Sequence, residues 1–393
     1  MNAFLLALAV AAPCQASLAG PWRAALSLAG GELRFALDIT ESSGPLTGRI
    51  CNAGSCEPLS GVRQVGDSVR LEVADYAASI AATCTGDSLA GFYRNVGNRG
   101  PRVIPFHAAR GTWPASHLPA RLAGRWDATF VTGQRSSPRV LLFEGGPRGL
   151  QGTVISNTGD YGTFQGQLQG DSVAMSHFDG SFVYLLTAHV DGDTLRGTFH
   201  AGLSTQTPFT AVRSTGLPHL RSPTSMTQAD TSAPFRFAFP DVNGRLVRND
   251  DQRFRGKVVL IDIFGTWCPT CQEAAPELVR LWHDYHGRGL EIVGIAYEVS
   301  GDTAIDAALV RRYQARHQVP FPLLLGGTNT VEATAATLPQ LTGFTSYPTT
   351  IFLGRDGRVR RVHAGFRGAS TGAMHRQQVS AFRAFIEHLL EEP

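Results

Sequence analysis

Lysine is nearly absent from this chain. Lys257 is the only one, and arginine supplies the rest of the 35 basic residues. Charge of either sign is thin: charged residues are 17% of the sequence, the net charge is +3, and no basic run occurs. A nucleic-acid surface needs clustered cations, so that class is excluded. No stretch approaches the roughly 20 apolar residues of a membrane-crossing helix. Cysteine is sparse, six residues in 393: Cys14, Cys51, Cys56, Cys84, Cys268 and Cys271. Only the last two are spaced C-x-x-C, and no second Cys or His pair has the spacing to complete a zinc site. His283 and His286 come nearest and are expected at a helix surface, so no metal is expected.

Against these absences stands a hydrophobic fraction of 43%, enough at this length for two or three cored domains. The chain opens on a short apolar stretch, Met1 to Ala12, followed by the small residues Ala16, Ser17 and Ala19. That is the anatomy of a signal peptide over residues 1–17, with cleavage after Ala16 or Ala19, and it implies a periplasmic or otherwise extracytoplasmic protein. Cys14 invites a lipoprotein anchor, but Pro13 stands where such a site needs a small residue. In an exported chain one structural disulfide is expected among Cys51, Cys56 and Cys84, leaving one thiol over. The alternative is three buried reduced thiols, and the sequence does not choose.

An internal repeat organises the first half. Leu18-Ala19-Gly20-Pro21-Trp22-Arg23-Ala24 recurs as Leu122-Ala123-Gly124-Arg125-Trp126-Asp127-Ala128, and Gly66-Asp67-Ser68-Val69 as Gly170-Asp171-Ser172-Val173, at one constant offset. Gly48 and Gly152 keep that offset, and Gly86 to Gly91 returns slightly further out as Gly192 to Gly197. Duplication is the strong reading. Alternation such as Leu33-Arg34-Phe35-Ala36-Leu37-Asp38-Ile39 marks half-buried strands, and most of the 43 glycines fall before residue 234, as tight turns require. Two repeated all-β modules, 18–112 and 118–213, are therefore expected, each a small antiparallel barrel or sandwich of about seven or eight strands. Merging both copies into one larger sandwich is an equal alternative. Gly-x-Trp opening a meander loosely resembles the calycin superfamily.

Residues 214–233, rich in Ser, Thr and Pro, read as a linker. Beyond it, residues 234–393 alternate apolar strands with helical patterns, the texture of an α/β domain. Lys257–Phe264 and Leu290–Tyr297 read as buried strands, Gln272–Tyr285 as a helix, Thr349–Leu353 as a strand before the turn Asp356-Gly357, and Val379–Leu390 as a closing helix.

The chemistry lies in Asp262-Ile263-Phe264-Gly265-Thr266-Trp267-Cys268-Pro269-Thr270-Cys271, between a strand and a helix. Two cysteines three apart on a first helical turn are close enough to bridge. The free N–H groups and partial positive charge of a helix N-terminus favour thiolate over thiol at Cys268, which is expected to face solvent as the nucleophile. Cys271, more buried, then resolves the mixed disulfide. Pro269 fits early in the helix, where its missing N–H costs nothing.

With Phe239-Pro240-Asp241, Gly256-Lys257-Val258-Val259, Pro276-Glu277-Leu278, Gly294-Ile295 and Tyr347-Pro348-Thr349-Thr350, this set resembles the thioredoxin superfamily, TlpA/ResA-like branch of exported thiol-disulfide oxidoreductases. The resemblance covers residues 234–393 and says nothing of the first half. It implies protein thiol and disulfide substrates, a membrane thiol-reductase donor, and no cofactor beyond the redox disulfide Cys268–Cys271. It implies a cis-proline at Pro348, docking of substrate at Trp267, Tyr347, Pro348 and Thr349, and a buried acid at Asp262 that accepts the proton of the resolving cysteine. Trp267 is expected on an exposed apolar rim.

The chain also departs from that branch. Ala274 stands where a glutamate is common, Asp262 stands where an acid is usually missing, and Glu273 is expected to project elsewhere. Residues 299–344 exceed a minimal thioredoxin, adding a helix at Thr303–His317, a strand at Phe321–Leu325 and a helix at Val331–Leu338. Two other functions compete: a peroxiredoxin-like peroxidase, whose Pro and Ser/Thr positions here hold Ile261 and Gly265, and a non-enzymatic protein binding copper or a small ligand. The β modules are expected to serve docking or dimerisation.

Overall fold

The computed structural model describes residue 14 and residues 17–41, 43–73, 78–95, 101–216 and 219–392. Apart from Cys14 and Ser17, the expected signal segment lies outside the described residues. Period-two patterning drives the first half into two separate antiparallel sheets rather than one merged sandwich. The first has nine strands, with Gly20–Leu28 paired between Gly31–Thr40 and Arg102–Arg110. It exceeds the expected count because Ser55–Pro58 folds back on Thr47–Asn52 as an extra hairpin arm. The second runs from Gly124–Thr132 to Thr205–Arg213 in eight strands and closes, Trp126 opposite Arg213. Closure leaves no edge for another chain to pair with.

The repeat survives at the level of hydrogen bonds. Trp22 and Trp126 are buried, and each indole N–H donates to a carbonyl 2.9 Å away, of Leu18 and Leu122 respectively. An arginine from the last strand caps each ring: Arg110 lies 4.4 Å over Trp22 and Arg213 lies 4.5 Å over Trp126. Each arginine also reaches an aspartate at 3.0 Å, Asp87 or Asp193, and a carbonyl, Ala19 at 2.8 Å or Ala123 at 3.0 Å. Arg213→Met should therefore cost the barrel about 1–3 kcal/mol, from one cation–π contact and charged hydrogen bonds. Urea unfolding compared with Arg70→Met, an exposed pair on the first sheet, measures it.

The two sheets share a core. Phe178 of the barrel is fully buried against Phe35 and Tyr93, with ring centroids 4.8 and 5.0 Å away. Asn52 braces it, donating to Phe178 O at 2.8 Å and accepting from Phe178 N at 3.0 Å.

Disulfides join Cys51 to Cys56 and Cys14 to Cys84. The first satisfies the expectation of one bridge among the three. The thiol left over is taken by Cys14, a partner the sequence did not assign to it, and a sulfur so bonded cannot carry lipid, in keeping with Pro13.

Linker residues 214–233 are tied down in part, since Gln228–Ala229 pairs with Leu341–Thr342 and Thr227 is buried. Beyond them lies a five-stranded sheet in the order Leu323–Thr328, Leu290–Glu298, Val258–Phe264, Thr349–Leu353, Val359–Ala364. The first three strands are parallel, Thr349–Leu353 runs antiparallel to them, and Val359–Ala364, antiparallel to that strand, returns to the first direction. Every residue of Val258–Phe264 is buried, with Leu260 and Phe264 packed under one helical layer and Ile261 and Ile263 on the opposite face. The helices are Pro269–Tyr285, Thr303–His317, Val331–Thr337 and Ala373–Glu391. The central strand therefore ends at the helix that carries the cysteine pair.

Candidate active site

Cys268 is the N-cap of helix Pro269–Tyr285. Its sulfur accepts from Cys271 N at 3.4 Å, and its carbonyl receives Cys271 N at 3.1 Å and Gln272 N at 3.0 Å. Cap geometry thus aims the sulfur at the helix's unpaired donors. The loop before it is held by Glu298, at the end of its strand, which accepts from Thr266 N at 2.8 Å and Thr266 Oγ1 at 2.7 Å. Trp267 Nε1 donates to Tyr297 O at 2.8 Å. Trp267 is half-buried and packs edge-on against Tyr347, so it is a wall rather than the exposed rim that was expected.

Cys268 and Cys271 are both free thiols, one helical turn apart. Burial pushes the Cys271 thiol well up, and its contact with Cys268 and the nearby Asp262 carboxylate push the same way. Tyr313, also buried, donates to Cys271 O at 3.1 Å. Asp262 is 3% exposed, its Oδ1 has no hydrogen-bond partner among the described residues, and burial pushes its carboxyl up to about 7. Burial also takes Glu298 up to about 7, against the pull of Thr266.

Opposite the cysteines, Tyr347–Pro348 is a cis peptide, and Tyr347 O lies 3.6 Å from Cys268 Sγ. Tyr347 lines the cavity at the sulfur. Thr349 does not serve as a docking surface: it is fully buried and its hydroxyl donates to Ser346 O at 2.7 Å. His283 and His286 are exposed, as expected. Glu273 points away from the sulfurs and accepts from Ala369 N at 3.0 Å. Burial raises it to about 8, with nearby Asp160 adding to the rise.

Cys268 itself is only 5% exposed, where an open nucleophile was expected. The cover is the barrel. Its loop 156–161 runs beside residues 366–370, with Phe366 N donating to Thr158 O at 3.2 Å and Arg367 to Ser156 O at 2.6 Å. Gly368 N donates to Asp160 Oδ1 at 2.6 Å, and Ser370 donates to the other oxygen of that carboxylate. Gly365 permits the approach: a Cβ there would lie 1.9 Å from Thr158 O. The sulfur consequently faces a cavity of about 170 Å³ shared between the two domains. Neither this loop nor Glu298 nor Tyr313 was singled out from sequence, although Glu298 is an acid that closes the apolar run 292–297.

Residues 230–362 match the AhpC/TSA family. The chain is 27% identical over 152 residues to a thiol-disulfide oxidoreductase ResA of Halalkalibacterium halodurans, covering 38% of this chain and 73% of that one. It is 34% identical over 84 residues to a thiol:disulfide interchange protein DsbE of Pseudomonas aeruginosa, covering 21% of this chain and 44% of that one. A solved thiol:disulfide interchange protein of the thioredoxin family from Chlorobium tepidum matches at 22% identity and a TM-score of 0.32, covering 42% of this chain and 99% of that one. All of these matches are partial. Among the described residues no helix is long and apolar enough to cross a membrane.

Proposed function

From the premise that its C-terminal part is a thioredoxin-like domain of the thiol-disulfide oxidoreductase type, we propose that this protein exchanges disulfides through Cys268 and Cys271. The observation that carries the reading is Cys268 as N-cap, with its sulfur accepting from Cys271 N at 3.4 Å and the free Cys271 thiol buried one turn further on. The Cys268 thiolate attacks one sulfur of a substrate disulfide, forming a mixed disulfide and releasing the other half as a thiolate, which takes a proton. Cys271 gives its proton to the Asp262 carboxylate and attacks Cys268 Sγ. The substrate leaves as a second thiol, and the protein is left with a Cys268–Cys271 disulfide. Two electrons from a thiol donor, proposed to be a membrane thiol reductase, restore it; the reverse direction uses the same contacts. Polypeptide cysteines are the proposed substrates, and Trp267, Tyr347 and Pro348 border the place where they meet Cys268.

A reaction of a small disulfide with dithiothreitol, coupled to the protein, tests this, and no rate above buffer would end it. The peroxidase reading is not favoured, because Ile261 and Gly265 occupy the positions that chemistry uses. Copper binding is not favoured either, since among the described residues no cluster of three or more potential ligands forms. The proposed compartment is extracytoplasmic, supported by two bridges in the first sheet that an oxidising environment sustains. Alkylation of the unreduced, unfolded protein should then label only Cys268 and Cys271; label on Cys14 or Cys84 would contradict the pairing.

A further inference from the structure

A substrate sulfur meets Cys268 inside a cavity whose far side is formed by the barrel. Thr158, Gly159, Tyr161 and Tyr184 line it opposite Trp267 and Tyr347. About 170 Å³ is below the roughly 300–1,000 Å³ of a site for a drug-sized ligand, so little more than one side chain fits beside the sulfur. Tyr161, Phe182 and Tyr184 border this cavity and also a second one of about 310 Å³ that carries Arg102 and Arg139. The rings form a continuous apolar surface, Tyr184 lying 5.2 Å from Tyr161 and 5.3 Å from Phe182 by centroid.

The charge left unspent there is positive. Arg139 donates to Tyr161 Oη at 3.2 Å and Pro138 O at 2.8 Å, and no carboxylate among the described residues lies within 4.0 Å of it or of Arg102. The nearby acids face cations of their own: Asp160 accepts from Gly368 N and Ser370 with Arg367 close by, and Asp179 accepts from Ser181 N at 2.8 Å and Phe182 N at 2.6 Å with His177 Nε2 3.9 Å away.

We propose that the barrel is the specificity half of the redox site, selecting an extended cysteinyl peptide with a carboxylate close to the reacting cysteine. The cysteine enters the small cavity, the peptide lies along the three rings, and its carboxylate meets Arg139 and Arg102. A disulfide displayed on a rigid folded surface is excluded, because the barrel loop is bonded to residues 366–370 and fills that approach. This inference rests on the exchange reaction proposed above.

The test uses the full chain with dithiothreitol and two probes: glutathione disulfide, which carries carboxylates beside each cysteine, and cystamine, which carries none. Each rate is divided by that of the same disulfide with free mercaptoethanol, which removes intrinsic reactivity. A preference of about 10-fold or more for glutathione disulfide is expected, the lower end of charge steering into a cleft. Insulin, on the same scale, should react more slowly than glutathione disulfide. Arg139→Glu should collapse the preference toward parity and Arg139→Lys should retain it, which separates charge from folding. Equal normalised rates, or a preference untouched by Arg139→Glu, would overturn the proposal. If neither probe reacts above the Cys268→Ser background, the exchange reaction falls and this inference with it.

Discussion

Cys268→Ser is expected to lower disulfide turnover by on the order of 10³-fold or more, because a hydroxyl at the N-cap keeps the hydrogen bond and loses the nucleophile. Serine is a good cap, so the helix should stay intact and unfolding should barely move. Cys271→Ser divides the reaction differently. Attack by Cys268 still proceeds, but nothing resolves the product, so a mixed disulfide should accumulate and be visible by mass under non-reducing conditions. Turnover surviving in Cys268→Ser, or a mixed disulfide forming through Cys271 instead, would reverse the assignment of the two sulfurs.

The second large effect concerns Asp262. Asp262→Asn removes the proton acceptor for Cys271 and should slow release of the second product by about 10²-fold, toward the lower end for a general base. With the carboxyl up at about 7, the wild-type rate of that step should rise with pH across neutrality, and the variant should lose that inflection. Stability moves the other way. Folding favours the protonated acid, so the folded state holds a proton that the unfolded chain releases near pH 4. The associated stability is complete below that pH and is lost as pH rises to about 7, on the order of 4 kcal/mol at roughly 1.4 kcal/mol per unit. Asp262→Asn should therefore be slower yet more stable than wild type at pH 8, as thermal unfolding at several pH values reports. A variant that is slower and also less stable at pH 8 would mean that Asp262 holds structure rather than moves a proton.

The repeat was legible because each copy needs the same parts: a tryptophan to fill its core, glycines at positive φ for its turns, and alternating strands. The arginines that lock each copy, Arg110 and Arg213, were not singled out. They come from the far end of each module, and only the pairing of first and last strands brings them over Trp22 and Trp126. The helix at Thr303–His317 was read directly from its pattern. The expected strand at Phe321–Leu325 instead spans Leu323–Thr328, because pairing with Leu290–Glu298 carries it through the glycines Gly326 and Gly327.

The cover over Cys268 shows where patterning stops being informative. In the first module, Ser55–Pro58 folds back as a strand and Cys56 bonds Cys51. At the equivalent place in the second copy, the constant offset brings Gly159, Asp160, Tyr161 and Gly162, where Asp160 keeps the equivalent bridge to Ile155 but Gly159 bridges Phe366 of the C-terminal domain instead of extending the hairpin. Nothing in the local pattern told which segment Gly159 would meet. The partners of loop 156–161, Arg367, Gly368 and Ser370, lie more than 200 residues away in sequence.

The sequence by itself determined the cysteine pair, the strand and helix that hold it, and the duplicated β modules, because each follows from local spacing and hydrophobic period. Only the tertiary structure decided that Cys268 is covered, that Cys14 bonds Cys84, and that a barrel wall stands over the redox site with Arg139 and, from the first sheet, Arg102 beyond it. Those facts depend on where distant segments meet, and the packing of whole domains sets that, since no periodicity within either segment encodes its partner.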